Sequence, residues 1–278
     1  MKLNAYLVKS TVVAALGGLL FGFDTAVISG TTSALASTYD LSPTLLGVTV
    51  ASALYGTILG AMLAGWPGER YGRRDSLRGM AILYLVSALG CATAWNWPSL
   101  VVFRFIGGLG IGGSSVLGPM YIAEIAPAKL RGRLVGFFQF NVVLGILLAY
   151  FSNYLIGLRH LGASEWRWEL GIAALPAALF FIMLFTIPRS PRWLAKKGRV
   201  EEARAVLQLT GDENYEHDLR DIVASIGIEQ KQAAEKLFTR RYAFPIFLAV
   251  SIGMFNQLFW HQCNSLLFER YFRARGFQ

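Results

Sequence analysis

Two oppositely charged residues stand inside apolar runs of this 278-residue chain. Asp24 lies in GGLLFGFDTAVISG, Gly17 to Gly30, and Arg104 opens RFIGGLGIGG. An ionised side chain at membrane depth costs at least about 2.5 kcal/mol, so one is seldom found there without a role. The chemistry open to this couple is mutual charge compensation inside a bilayer. The alternatives are a helix-end Asp reaching the headgroups and an Arg104 that snorkels to the outer surface from two turns beyond Pro98. The apolar run continues past Asp24 through Ala26, Val27 and Ile28, which favours a buried acid. A second group of charges has a stricter spacing. In GWPGERYGRRDSLR the order G-x-x-x-E-R-x-G-R-R sets out Gly65, Glu69, Arg70, Gly72, Arg73 and Arg74, with Gly68 and Gly72 permitting turn geometry that a Cβ would penalise. Glu124 is the last acid of a later apolar run, and Lys129, Arg131 and Arg133 follow it. Taken singly these are ordinary helix-end charges.

The elements that must position these residues are membrane spans. The chain is 54% hydrophobic and only 15% charged, against about 25% charged in soluble domains. Apolar runs alternate with short charged connections, which predicts an all-α, polytopic membrane protein. Spans are expected at roughly 9–30, 45–66, 77–94, 99–122, 134–157 and 169–187, with the charged stretch from Gly65 to Arg78 read as a tight turn. The second span is rich in small residues, among them Gly47, Gly56 and Gly60, which let helix backbones approach closely. The net charge of +9 comes from basic residues placed between apolar spans. That excludes a basic nucleic-acid-binding domain and instead marks the loops retained on the cytoplasmic side. The expected topology puts the N-terminus, Arg74, Lys129 and Lys196 inside, and Asp40, Trp97 and Glu165 outside, in a cell membrane. Cys91 and Cys263 sit in apolar surroundings and imply no disulfide framework; His160 is a lone loop histidine. No cofactor, no metal site and no enzymatic chemistry are expected.

The spaced loop Gly65–Arg74, together with GGLLFGFDTAVISG, resembles the signature of the major facilitator superfamily and of its sugar porter branch. PMYIAEIAPAKLRGRL, Pro119 to Leu134, is similar to the family's P-x-Y-x-A-E-x-x-P-x-x-x-R-G motif, and PRSPRWLAKKGR, Pro188 to Arg199, to its P-E-S-P-R-W-L motif. The resemblance implies the N-terminal six-helix half of a transporter, as two three-helix repeats, that moves a monosaccharide by alternating access. It implies that Asp24 and Arg104 form the proton-coupling pair, since facilitative relatives usually carry Asn at the Asp position. It also implies that Glu69, Arg70, Arg73, Arg74, Glu124, Arg131, Arg133 and Arg192 form a cytoplasmic gate network, with Gly65 and Gly72 in its loop. Such a network can act as a two-state latch. Arg189 stands where the family has Glu, which reverses one charge of it. For Gln139, an amide in a span is by itself more often a bond between helices than a ligand contact. The resemblance makes it a sugar contact, with Phe21 as an aromatic ring beside the sugar. Some relatives carry a second Gln seven residues later, where this chain has Ile146.

Residues 191–240 read as a cytoplasmic helical domain following a bundle over 1–190. It is charged and amphipathic, broken at Gly211, with Ala203, Val206, Leu207, Leu219, Ile222, Val223 and Ile226 on apolar faces. A seventh run begins within 241–278. There MFNQL supplies Asn256 and Gln257, the first two places of the family's sugar-binding Q-Q-x-x-G-x-N-x-x-x-Y-Y segment. The residues that follow match nothing in that segment. Read one nucleotide on, with permitted codons, WHQCNSLL and Phe268 can give Gly-Ile-Asn-Ala-Ile-Leu-Tyr-Tyr, the missing motif. The expectation is a shifted frame after Leu258 that cuts a longer sugar:proton symporter short, leaving a chain inactive by itself. The partners implied are a monosaccharide, a proton and the lipid bilayer. A non-transporting membrane sensor and a facilitative transporter are the alternatives.

Overall fold

The computed structural model describes residues 4–210, 215–232 and 243–255 except 245 and 249. Asn256, Gln257 and the tail that departs from the family pattern lie outside the described residues. Among the described residues, six stretches are long and apolar enough to cross a membrane: Ala5–Tyr39, Pro43–Arg70, Arg73–Ala92, Trp97–Ile125, Arg131–Gly157 and Glu165–Met183.

Helix α1 (Ala5–Tyr39) starts at Asn4, whose side chain accepts from the Tyr6 amide, and ends at Asp40 in the left-handed region, with φ 50°. It runs nine residues beyond the expected end of the first span. The predicted outer connection is therefore mostly helix: Ala34, Leu35 and Ala36 favour it, and Leu35 is fully buried. Helix α2 (Pro43–Leu63) is capped by Ser42 and continues almost directly into α3 (Gly65–Arg70). The stretch expected to be a tight turn is thus helical up to Arg70, and the chain reverses only at Tyr71 and Gly72 before α4 (Arg73–Ala92). Gly72 has φ +91° and the ring of Trp193 3.0 Å from where a Cβ would be, so both backbone strain and space demand glycine there.

Helix α5 (Trp97–Ile125) begins with a reciprocal cap between Asn96 and Ser99. Helix α6 (Arg131–Gly157) follows a short turn. The sixth span is two helices, α7 (Glu165–Gly171) and α8 (Ala174–Met183), instead of one. Pro176 explains the break: it has no N–H for the Ile172 carbonyl, and its ring crowds that carbonyl.

Packing centres on α1 and α5. Helix α1 lies along α6 and α5, while α2 and α4 flank α5. Two crossings are made at glycine. A Cβ on Gly22 would stand 1.9 Å from the Val142 carbonyl oxygen, and one on Gly145 2.1 Å from that of Leu19. The expected small-residue packing of α2 falls on Gly56 and Gly60, against the α5 backbone at Phe105 and Leu109, whereas Gly47 faces open space. The core is apolar and contains Trp166, Tyr121 and Phe180 with almost no exposure. Outward faces are also apolar: Leu54, Ile58 and Met62 on α2, Leu147 and Phe151 on α6, Leu175 and Ile182 on α8. A helix bundle apolar both inside and out is stable only where its outer face meets lipid.

After the bundle come α9 (Pro191–Lys196), α10 (Val200–Leu209) and α11 (Tyr215–Gln232). Trp193, Leu194, Ala203, Val206, Leu207 and Leu219 bury one another as a separate small core, with Ile222 packed at its edge. Val223, expected on the apolar face, is 45% exposed.

Candidate functional site

The two charge groups singled out from the sequence occupy two separate places in the bundle. The first is the couple on α1 and α5. Arg104 Nη1 donates to Asp24 Oδ1 at 2.7 Å, with the Arg side chain 4% and the Asp side chain 15% exposed. Asp24 reaches Arg104 because α1 packs directly on α5. Snorkelling is ruled out for this conformation: Arg104 ends inside the protein. A small cavity adjoins the pair and is lined by Val27, Tyr84, Ser87, Ala88, Cys91, Leu170 and Ala173 besides the pair itself. Cys91 is a free, buried thiol. An ion pair held this way is costly to desolvate and costly to break, since removing either charge strands the other.

Phe21 is half-buried on α1, one turn before Asp24, and Gln139 is exposed on α6. Gln139 makes no hydrogen bond among the described residues, so it does not tie helices together here. Asn141, two residues on, is buried and donates to the Phe137 carbonyl.

The second place is the end of the bundle where α3, α4, α5 and α9 meet. Arg73 is its hub, with a side chain only 7% exposed. Its Nη1 donates to the Gly68 carbonyl at 2.8 Å, its Nη2 to Glu69 Oε1 at 2.9 Å, and its Nε to Glu124 Oε1 at 3.0 Å. The other oxygen of Glu124 accepts from the Ser190 hydroxyl, and Arg192 acts on the same carboxylate through its charge. Ser190 also accepts from the Trp193 amide, capping α9. Glu69 further accepts from Lys196, and its carbonyl from Trp193 Nε1 at 3.0 Å. Arg74 turns to Asp75 and to the Ile187 carbonyl. Around one end of α4, then, acids and bases from four helices neutralise one another, Arg73 and Glu124 buried and Glu69 and Lys196 exposed.

Three members of the expected network behave differently. Arg70 is exposed and stacks on Trp66 and Tyr71, with its Cζ 5.7 and 5.8 Å from the two ring centres. Arg131 and Arg133 are exposed at the start of α6 and form no ion pair among the described residues. The physical reason is the turn after Ala126, which starts α6 with its first residues directed into solvent. Gly65 meets nothing within 4 Å, so space does not require glycine there.

Residues not anticipated complete the cluster. Asp75 binds Arg74, Arg78 and Arg189, the last through its second oxygen at 3.0 Å. The reversed charge at Arg189 is therefore matched within this chain. An acid in the first turn of α4 has an ordinary explanation at a helix N-terminus, which hid its second role. Ser190 and Lys196 could have been found from the P-R-S-P-R-W-L-A-K run, where the serine precedes a proline at a helix start.

At the opposite end, Arg167 donates to the carbonyls of Ala92 and Ala94, Tyr39 donates to Ala94, and Trp97 donates to Thr49. These bonds tie α1, α4 and α7, and separately α2 and α5.

The sequence profile described as "Sugar (and other) transporter" matches residues 10–268. The D-xylose-proton symporter of Escherichia coli (strain K12) is 42% identical over 235 residues, which cover 74% of this chain and 48% of that protein. The arabinose-proton symporter of Bacillus subtilis (strain 168) is 35% identical over 279 residues, covering 98% of this chain and 60% of that one. Among solved structures, the proton:xylose symporter XylE of the major facilitator superfamily, bound to 6-bromo-6-deoxy-D-glucose, superposes with a TM-score of 0.79 at 39% identity, over 83% of this chain and 55% of that one. The chain spans about half the length of the curated relatives it matches.

Proposed function

This chain belongs to the Sugar (and other) transporter family of the major facilitator superfamily, and from that premise we propose that the whole protein couples the movement of a proton to that of a monosaccharide. The observation that carries the reading is the buried contact between Asp24 and Arg104. A carboxylate with one buried cationic partner can hold a proton or the ion pair, but not both. Protonation therefore frees Arg104 and changes what holds α1 to α5.

The six-span bundle supplies one wall of the transport path, with Phe21 and Gln139 as sugar contacts and Asn256 and Gln257 as those of the next span. The charge cluster around Arg73 and Glu124 serves as the gate at the cytoplasmic end. Its bonds come from residues on four separate helices, an arrangement that can break as a unit when those helices part. The basic residues at that end support a cytoplasmic location for it, and for the N-terminus, in a cell membrane. The two relatives named above, each a sugar-proton symporter by name, support this reading.

The test is transport by the whole protein in proteoliposomes. Asp24→Asn is expected to abolish accumulation driven by a proton gradient while sugar exchange across the same vesicles remains measurable. Normal accumulation by that variant would overturn the proposal.

A further inference from the structure

Two buried polar atoms beside the Asp24–Arg104 pair make no hydrogen bond among the described residues: the Tyr84 hydroxyl and the Arg104 Nε. Tyr84 is 2% exposed and Arg104 4%. Buried polar atoms of this kind are nearly always satisfied, by protein or by ordered water. Both residues line the cavity behind the pair, together with Asp24, Ser87, Ala88 and Cys91. Its volume is about 10 Å³, close to the ~10–15 Å³ that one water molecule requires. Both charges of the pair act on Tyr84 electrostatically. The cavity lies within the bundle, between α1, α4, α5 and the α7–α8 junction.

We propose that this cavity is a single-water site in which Tyr84 and the water hold the Arg104 guanidinium when Asp24 carries a proton. The inference rests on the reading of Asp24 as the proton carrier and adds how its partner survives the loss. In the charging step a hydronium ion gives one proton to a carboxylate oxygen of Asp24, forming an O–H bond there and leaving neutral water. Arg104 keeps its proton and its charge, and Tyr84 stays neutral. The stranded cation then needs acceptors, since an unpaired buried charge is expensive. The Nε–H donates to the water, and the water is held in turn by the Tyr84 hydroxyl. Among the described residues, no other charged side chain lines the cavity to do this. Helix α4 presents only Tyr84 and Cys91 as titratable groups, and the α7–α8 junction presents only Leu170 and Ala173. Glu169, beside Leu170, instead lies against Gly30, where its Oε1 is 3.3 Å from the position of a Cβ. Neither α6 nor α8 lines the cavity. Tyr84 is thus a positioning residue: it acts on the proton through Arg104.

The experiment is a pH titration of the full chain in lipid bilayers by infrared difference spectroscopy, following the carboxyl band that Asp24→Asn removes. Tyr84→Phe keeps the ring and the packing and removes the hydroxyl. It is expected to move the Asp24 midpoint to lower pH by about one unit, a tenfold loss of proton affinity. Ala88→Val fills the cavity while leaving the hydroxyl in place, and is expected to move the midpoint in the same direction. Wild-type midpoints in both variants, or a shift upward, would overturn the proposal. A shift in Tyr84→Phe with a wild-type midpoint in Ala88→Val would overturn the water as ligand. A titrating band that survives Asp24→Asn would overturn the assignment of the proton to Asp24, and the inference with it.

Discussion

Asp75 accepts from Arg74 Nε at 3.1 Å and Arg78 Nη1 at 2.7 Å on one oxygen, and from Arg189 on the other. Arg78 and Arg74 also donate to the carbonyls of Leu184 and Ile187, so this one carboxylate organises the junction of α4 with the segment after α8. Asp75→Asn leaves three cations close together without their shared anion. Charge-assisted bonds of this kind are worth about 1.5–3 kcal/mol each and are not additive. The expected loss of stability is about 2–3 kcal/mol, read as a lowered midpoint in thermal unfolding of the purified chain. A change below about 0.5 kcal/mol would mean the arginines find other acceptors. Asp24 and Arg104 were legible from the sequence because a charge inside an apolar run has few reasons to be there. Asp75 was not, for the reason already given, and Tyr84 was not because a tyrosine in a span reads as an aromatic packing residue whose hydroxyl finds its own bond. Arg131 and Arg133 make no ion pair among the described residues: a motif fixes their order along the chain, while the direction of the α6 start decides whether they reach an acid.

Helix α1 is held to α6 by backbone as much as by side chains. At Gly22 an added methyl would meet the Val142 carbonyl, which is part of a helix and has nowhere to go. Gly22→Ala is expected to cost about 1–3 kcal/mol through forced separation of the two helices. Gly136→Ala, on the same α6 but facing open space, is expected to be neutral or to stabilise by about 0.5–1 kcal/mol, through the lower backbone entropy of alanine. Denaturant titrations of both variants would check the pair; equal effects would remove the steric argument. Span number and order were legible because six apolar runs separated by charge leave little choice. Element ends were less so. Nothing in composition marks Thr31 to Tyr39 as a continuing helix, since few of those residues are strongly apolar and only the burial of Thr31 and Leu35 draws them in. The charged turn proved helical because amphipathic charge at a bilayer surface is compatible with helix, and only Gly72 forces the reversal. The break near Ile172 was not anticipated, since the apolar run over 169–187 reads as one span despite Pro176.

The six-span bundle has two polar ends and an apolar girdle. One end carries the Arg73–Glu124 cluster and the exposed Lys129 and Lys196; the other carries Asp40, Trp95 and Glu165. The proposed orientation predicts that single cysteines at positions 129 and 196, in a background without the native two, react with a membrane-impermeant thiol reagent only in inverted vesicles. Those at 40 and 95 should react in right-side-out cells. The opposite pattern would reverse the topology. Orientation also gives the ion pair an electrical meaning. With Asp24 ionised, the buried couple sums to zero. With Asp24 protonated, Arg104 leaves the site with one positive charge. A carrier of this kind is blind to membrane voltage while it returns empty, and feels it only while loaded. About 2.3 kcal/mol per 100 mV then acts on one elementary charge crossing the full field. An interior-negative potential imposed at fixed pH gradient should accelerate the loaded step alone, and sugar accumulation by the whole protein should steepen with voltage. In Asp24→Asn the site keeps its positive charge in every state, so the same potential should speed one half of the cycle and slow the other, leaving sugar exchange without net drive.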